Sequence, residues 1–202
     1  MTARLSGNSS WWSRSAHRIV GLGKMRLIRT YGLVAVAALW AGCVVSENGL
    51  KQHAQAVLDE HSIGYHGIYA DTLSQTIRLN LRGSNISDLS ILRGLRLTWI
   101  VLDGCTNVVD LSPLASMPLV AVSIAHTRVR DLSPLSGKAV TLLFIQDTPV
   151  TDLTPLAGMP LEQLKFTPTN ITNGMDAIRT KDSLSRINKM TAREFWNSLS
   201  KQ

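Results

Sequence analysis

A short motif recurs through the middle of this 202-residue chain at a nearly constant interval. Asp-Leu-Ser-Pro-Leu begins at Asp110 and Asp131, and close variants of it begin at Asp88 and Asp152. The four aspartates are 22, 21 and 21 residues apart, and Asn173 continues the same spacing. A fixed period of this length indicates a chain built from stacked copies of one small structural unit.

Each aspartate is preceded by an apolar frame of the form Leu-x-x-Leu-x-Leu-x-x-Thr-x-Val, which occurs in five copies. The alternating leucines predict a short strand with one face turned inward. The frame is that of a leucine-rich repeat, with threonine where asparagine is common. In the copy that begins at Leu97 we place Thr106 at the threonine position, with one inserted residue, which leaves Cys105 in a turn as a partly buried residue.

The sequence therefore predicts an α/β, β-rich solenoid with about five repeats of 21–22 residues over 76–173. Parallel strands would line its concave face, and the short repeat leaves room on the convex side only for a 3₁₀ turn or an extended segment. The aspartates are predicted to accept hydrogen bonds from backbone N–H groups rather than to bind metal. The Ser-Pro and Thr-Pro pairs are predicted to place a capping residue before a proline.

The two ends of a solenoid need covering structure, because terminal repeats would otherwise expose the core. Residues 43–75 are interpreted as a linker and N-terminal cap, with an amphipathic helix over 50–60. Residues 174–202 are interpreted as the C-terminal cap. This cap would contain a short helix over 174–179, a last strand over 184–187, and a helix opened by the capping box of Thr191 and Glu194.

The positive charge is concentrated at the N-terminus. Residues 1–42 carry six basic and no acidic residues, whereas the rest of the chain carries 15 basic and 14 acidic residues out of a net charge of +7. The nearly neutral body gives no electrostatic indication of nucleic-acid binding. Residues 1–24 are interpreted either as a disordered tail or as the product of a misassigned start, with Met25 as the true first residue.

Residues 25–42 have the layout of a bacterial export signal, with Arg26 and Arg29 ahead of an apolar run. Even when extended to Val45, this run has 15 residues, fewer than the roughly 20 that span a bilayer. Ala-Gly-Cys ending at Cys43 resembles a lipoprotein box, although Trp40 replaces its usual leucine. This predicts lipidation of Cys43 and a location in the cell envelope, at a membrane or in the periplasm. The alternatives are cleavage near Ser46 or an uncleaved single-pass membrane anchor.

Sequence motifs of catalysis are absent. The chain contains no His-Glu-x-x-His, Gly-x-Ser-x-Gly or Cys-x-x-Cys pattern, and its five histidines are scattered. His61 and His66 are five residues apart across a predicted turn, which favours solvated cap residues over a metal site. His126 has no partner evident from the sequence. We therefore predict no enzymatic activity, no cofactor and no metal site.

The outward positions of the predicted strands are the candidate binding residues, because side chains of a strand alternate between two faces. Trp99, Val101, Leu142 and Phe144 would form an apolar strip with basic residues beside it, a composition typical of protein interfaces. The alternative is that neighbouring segments cover these residues. The predicted protein-binding set on the concave face is Arg78, Asn80, Arg82, Trp99, Val101, Asp103, Ser123, Leu142, Phe144, Gln146 and Lys165.

The repeats resemble the internalin-type subclass of bacterial leucine-rich repeats, which also carry an Asp-x-Ser-Pro-Leu element. The phrase Asp-Leu-Ser-Pro-Leu-x-Gly-Met-Pro-Leu and the tail from Asn170 to Trp196 are also similar to repeats of planctomycete and related bacteria. Those repeats occur in uncharacterised proteins and behind serine/threonine kinase domains. The resemblance covers about residues 60–197 and implies protein–protein interaction, but this chain has no His-Arg-Asp or Asp-Phe-Gly kinase motif.

Together these features predict an exported, lipid-anchored monomer that binds a protein partner and no nucleic acid. Two alternatives remain open. One is a structural or vestigial repeat fragment of a kinase-associated signalling protein. The other is a cytoplasmic adaptor that keeps residues 1–42.

Overall fold

One eight-stranded sheet, with its strands in chain order, dominates the computed structural model, which describes residues 46–199. Segments 1–24 and 25–42 and the predicted lipidation site Cys43 lie outside the described residues. The strands are β1 (Gly67–Asp71), β2 (Thr76–Asn80), β3 (Leu97–Val101), β4 (Ala121–Ser123), β5 (Leu142–Phe144), β6 (Gln163–Lys165), β7 (Arg186–Ile187) and β8 (Met190–Thr191).

Strands β2 to β7 are parallel neighbours, and β2 to β6 contribute one strand from each predicted repeat. Strands β1 and β8 pair antiparallel with β2 and β7 at the two ends. The register superimposes residues 21 or 22 positions apart, for example Ile100 on Val122 and Val122 on Leu143. The predicted leucine-rich-repeat solenoid is confirmed.

The inward residues of the strands stack into one continuous apolar core. Leu79, Ile100, Val122, Leu143 and Leu164 form one row of this core, and each is at most 1% exposed. Burying one such side chain contributes roughly 1.5–3 kcal/mol, so successive repeats stabilise one another through shared contacts.

The side opposite the strands consists of stacked 3₁₀ turns, as predicted, at Leu89–Leu92, Ser112–Leu114, Ser133–Leu135 and Thr154–Leu156. A further 3₁₀ turn, Pro168–Asn170, lies just after β6. Each motif aspartate accepts a hydrogen bond from the backbone N–H two residues later; for Asp131 and Ser133 the distance is 2.8 Å. The predicted capping by Ser or Thr is wrong. The Ser133 hydroxyl instead donates to the second carboxylate oxygen of Asp131 at 2.6 Å, so the aspartate is the cap.

The position of the inserted residue also differs from the prediction. Thr127 and Thr148 are buried, and each hydroxyl donates to the carbonyl oxygen three residues earlier at 2.7 Å. In the preceding repeat Cys105, not Thr106, takes this place, and Cys105 is completely buried. The extra residue therefore lies between Cys105 and Val108, and Thr106 is exposed.

The N-terminal cap consists of helix α1 (Glu47–Glu60) and strand β1. The hydroxyl of Ser46 accepts a hydrogen bond from the N–H of Gly49 at 3.2 Å, which starts α1 three residues before the predicted helix. One side of this helix is buried, and its buried residues include Leu50, Ala54 and Leu58. The β1–β2 hairpin was not predicted, because residues 43–75 were expected to form only a linker and a helical cap. Within residues 46–199, no helix is both long enough and apolar enough to cross a bilayer.

The C-terminal cap contains helix α2 (Met175–Arg179), the β7–β8 hairpin and helix α3 (Ala192–Leu199). The predicted capping box is confirmed, because the Glu194 carboxylate accepts hydrogen bonds from the N–H and the hydroxyl of Thr191, both at 2.9 Å. Phe195 packs edge-on against Phe166, with ring centres 5.7 Å apart. This contact closes the open end of the core.

Candidate functional site

The outward side chains of the sheet form aligned columns across the strands. We call this surface the open sheet face; it is the face predicted to be concave. Pairing in the sheet aligns the first two columns, and a third column follows two residues beyond the second, just after the strands end. The first column contains Tyr69, Arg78, Trp99, Ala121, Leu142, Gln163 and Arg186; the second Asn80, Val101, Ser123, Phe144 and Lys165; and the third Arg82, Asp103, Ala125, Gln146 and Thr167.

The predicted apolar strip of Trp99, Val101, Leu142 and Phe144 lies in the middle of this face. Trp99 is 39% exposed, and the other three side chains are half-buried. The strip surrounds a shallow hollow of about 150 Å³, because the small residues of β4 lie between the larger side chains of β3 and β5. A surface of this shape accepts apolar side chains more readily than a flat one.

A groove of about 300 Å³ adjoins the strip at its N-terminal end and is lined by Tyr69, Arg78, Asn80 and Trp99, among others. The phenol ring of Tyr69 is directed back over Gly67, where a Cβ atom would come within 2.9 Å of the ring. Tyr69 is 63% exposed and was missed by the sequence analysis. The alternation of Ile68 and Ala70 with Tyr69 was the signal that could have found it.

Two of the cations on the open sheet face rest on aromatic rings of the strip. The guanidinium carbon of Arg78 lies 5.7 Å from the centre of the Trp99 ring, and the Lys165 ammonium lies 4.4 Å from the centre of the Phe144 ring. Such contacts hold a cation beside an apolar surface without a carboxylate. Arg82 and Arg186 are exposed on the same face.

Asp103 and Ser123 are bound to each other. The Ser123 hydroxyl donates a hydrogen bond to Asp103 Oδ1, which also accepts from the N–H of Ala125 at 3.1 Å. Ser123 is only 6% exposed. The prediction that this serine is accessible to a partner is wrong, because its small side chain lies below those of its neighbours.

Polar side chains lie in and just beyond the third column. Gln146 is half-buried, and its Oε1 atom is buried without a hydrogen-bond donor among residues 46–199. In the following turn positions, His126 Nδ1 lies 3.4 Å from Asp147 Oδ2, and both side chains are exposed. This pair supplies the partner of His126 that the sequence did not reveal. An exposed pair of this kind contributes little to stability.

Several ionisable groups outside the open sheet face are engaged in local structure. His61 Nδ1 lies 3.0 Å from the carbonyl oxygen of Val57 in its own cap. Hydrogen bonds from the hydroxyl and the N–H of Ser133 hold the pKa of Asp131 below its ordinary value, and Asp88 and Asp110 have the same arrangement. In the part of the chain that the structure describes, no three His, Cys, Asp or Glu side chains are grouped as metal ligands would be.

Comparison with known proteins gives structural similarity alone. No family model and no curated protein matches the chain. An internalin (inlF) from Listeria monocytogenes is 23% identical with a TM-score of 0.42, over 53% of this chain and 38% of the internalin. An internalin C2 (inlC2) from the same species is 24% identical with a TM-score of 0.39, over 55% of this chain and 59% of the internalin. The chain thus spans less than two thirds of either internalin, and its fold assignment rests on the strand order and register described above.

Proposed function

We propose that this chain is a non-catalytic protein-binding module, exported and held in the cell envelope by a lipid on Cys43. Its binding surface is the open sheet face. The observation that supports this surface is the exposure of Trp99 on β3, across the small side chains of β4 from Leu142 and Phe144. Large aromatic side chains in the centre of a surface, with polar side chains around them, carry most of the binding energy in protein interfaces.

The binding proposal is tested with the double variant Trp99→Ala/Phe144→Ala. Immobilised wild-type protein should retain a discrete protein from an extract of its own cell envelope, and the variant should retain at least about tenfold less. The matched control is Leu73→Ala/Val109→Ala, which removes two side chains that are 97% and 55% exposed outside the strip. Equal retention by both variants would contradict the proposal, provided that their circular dichroism spectra match the wild type.

The export proposal is supported by the sequence around residues 25–43, and its test is independent of the binding test. The mass and N-terminal peptide of the protein from fractionated cells should correspond to a diacylated chain that begins at Cys43. Cys43→Ser should abolish both the lipid mass and the membrane association. A mature chain that keeps residues 1–42 would overturn this part of the proposal.

A further inference from the structure

Unpaired cations flank the apolar strip at both ends. Arg78 and Arg82 lie at the N-terminal end of the strip, and Lys165 and Arg186 lie at its C-terminal end. Within residues 46–199 the ion pairs are Lys51 with Glu47 and His126 with Asp147. None of the four flanking cations therefore has a carboxylate of residues 46–199 within ion-pair distance.

Three carboxylates near this face already have local partners. Asp103 accepts the hydrogen bonds from Ser123 and Ala125, and Asp147 lies beside His126. Asp71 is the carboxylate that influences Arg78 at longer range, but it accepts hydrogen bonds from the Leu73 N–H and the Ser74 hydroxyl in the hairpin turn. These carboxylates keep their negative charge, but none of them forms an ion pair with the four cations. Each end of the strip therefore offers a cation that a negatively charged group of a partner can pair with.

The spacing of the two cationic ends defines the length of what they can hold. Neighbouring strands lie roughly 4.8 Å apart, so the four steps from β2 to β6 span roughly 19 Å. An extended peptide advances about 3.3 Å per residue, which places about six residues across this distance. The strip beneath these residues is apolar, so the intervening side chains that face the sheet have to be apolar as well.

We infer that the open sheet face takes an extended acidic segment of a protein partner that crosses the strands, with two carboxylates about six residues apart and apolar side chains between them. Arg78 binds one carboxylate and Lys165 binds the other, Arg82 and Arg186 add positive charge at the two ends, and the apolar strip receives intervening side chains. This inference rests on the proposed function and adds the chemistry of the partner. A uniformly charged polyanion fits less well, because its central charges would lie over the strip and lose their hydration.

The test is selection of a displayed library of random 12-residue peptides on the immobilised full chain. Wild-type protein should enrich peptides in which Asp or Glu residues five to seven positions apart flank apolar residues. The charge-reversal variant Arg78→Glu/Lys165→Glu and its milder form Arg78→Gln/Lys165→Gln should both lose these peptides. The control Leu73→Ala/Val109→Ala should keep them, and the affinity of the most enriched peptide should fall about tenfold between 50 and 500 mM salt.

The possible failures separate the two proposals. If the enriched peptides depend on Trp99 and Phe144 but carry no acidic residues, or bind the charge-reversal variant equally, the acidic segment is wrong and the binding face stands. If wild-type protein enriches no peptide beyond Trp99→Ala/Phe144→Ala, both fail. Displacement of the peptide by heparin, with equal heparin binding to wild type and Trp99→Ala/Phe144→Ala, would show general polyanion binding and also overturn the inference.

Discussion

The thiol of Cys105 lies 3.0 Å from the carbonyl oxygen of Leu81, which belongs to the preceding repeat. In the two following repeats the equivalent positions hold Thr127 and Thr148, whose hydroxyls donate within their own repeats. Each of these side chains is a small buried donor beside a backbone carbonyl that water does not reach. Cys105 is thus a structural residue of the stack.

The burial of Cys105 predicts that its thiol is unreactive in the native protein. In a Cys43→Ser background, where it is the remaining cysteine, modification by a thiol reagent should be at least about a thousandfold slower than in denaturant, because the thiol is reached only through unfolding. Cys105→Thr should keep the stability close to that of the wild type. Rapid stoichiometric modification of the native protein would contradict this packing.

We expect a side chain at position 174 to lower the free energy of unfolding strongly. Its φ of +79° lies in the left-handed region, and a Cβ atom there would overlap the backbone of Leu153 and Thr154. Gly174→Ala should lower the free energy of unfolding by about 3 kcal/mol or more, measured by urea denaturation.

Gly137 provides the matched control, because its φ is +70° but a Cβ atom would meet nothing within 4 Å. Gly137→Ala should cost only the conformational strain, about 1–2 kcal/mol. Equal losses in the two variants would show that the close approach of Gly174 to the preceding repeat is unimportant.

The sequence predicted those parts of the fold that local signals determine. The 21-residue period fixed the strands, the Asp-Leu-Ser-Pro-Leu element indicated the 3₁₀ turns, and Thr191 with Glu194 located α3. Strand β1 was missed because it begins with Gly67 and is preceded by Gly64, which interrupt the apolar pattern on its N-terminal side. Its formation depends on pairing with β2 and on packing against α1, and both contacts are non-local.

For the candidate site too, local sequence patterns predicted some features, and contacts between repeats determine the others. Period-two alternation and the repeat length together predicted which residues share the open sheet face. The burial of Ser123 depends on the sizes of side chains on the neighbouring strands, Leu142 and Phe144 among them. The pairing of His126 with Asp147 depends on contact across a repeat. Neither relationship follows from the sequence of one repeat.

The hydrogen bonds accepted by the motif aspartates lead us to expect that acid destabilises the protein. The folded state lowers the pKa of Asp131, chiefly through the Ser133 hydroxyl and then through the Ser133 N–H. A carboxyl whose pKa is lower in the folded state stabilises the protein above its unfolded pKa of about 3.9, and this contribution is lost as the pH falls below that value. The melting temperature should therefore fall as the pH drops below about 4.

Two variants assign this acid sensitivity to the caps. Asp131→Asn should flatten the decline, because the amide does not titrate, and Ser133→Ala should reduce it by removing the principal donor. Ser136→Ala, which changes an exposed serine beyond the turn, should follow the wild-type curve. An Asp131→Asn curve parallel to the wild type between pH 5 and 3 would exclude a contribution from this cap.

The burial of His53 leads us to expect a second decline of stability, at a milder pH than that of the aspartates. Its side chain is 9% exposed on the inner side of α1, and its Nδ1 atom has no hydrogen-bond partner among the described residues. Burial penalises the charged imidazolium and lowers the pKa of His53 below 6.5. The unfolded chain therefore takes up a proton at a higher pH than the folded chain does. Stability should be constant above about pH 6.5 and should fall as the pH drops from there toward the folded pKa.

Urea denaturation between pH 7.5 and 5.0 measures this effect. His53→Met replaces the imidazole with an apolar side chain of similar size, so its stability should change less with pH than that of the wild type. His66→Gln removes an exposed histidine of the same cap and should leave the wild-type slope intact. If His53→Met keeps the full slope, the decline arises elsewhere, and protonation of this histidine does not loosen α1 from the end of the solenoid. If the slope disappears, acidification weakens the N-terminal cap next to β1, whose Tyr69 lines the groove of the open sheet face.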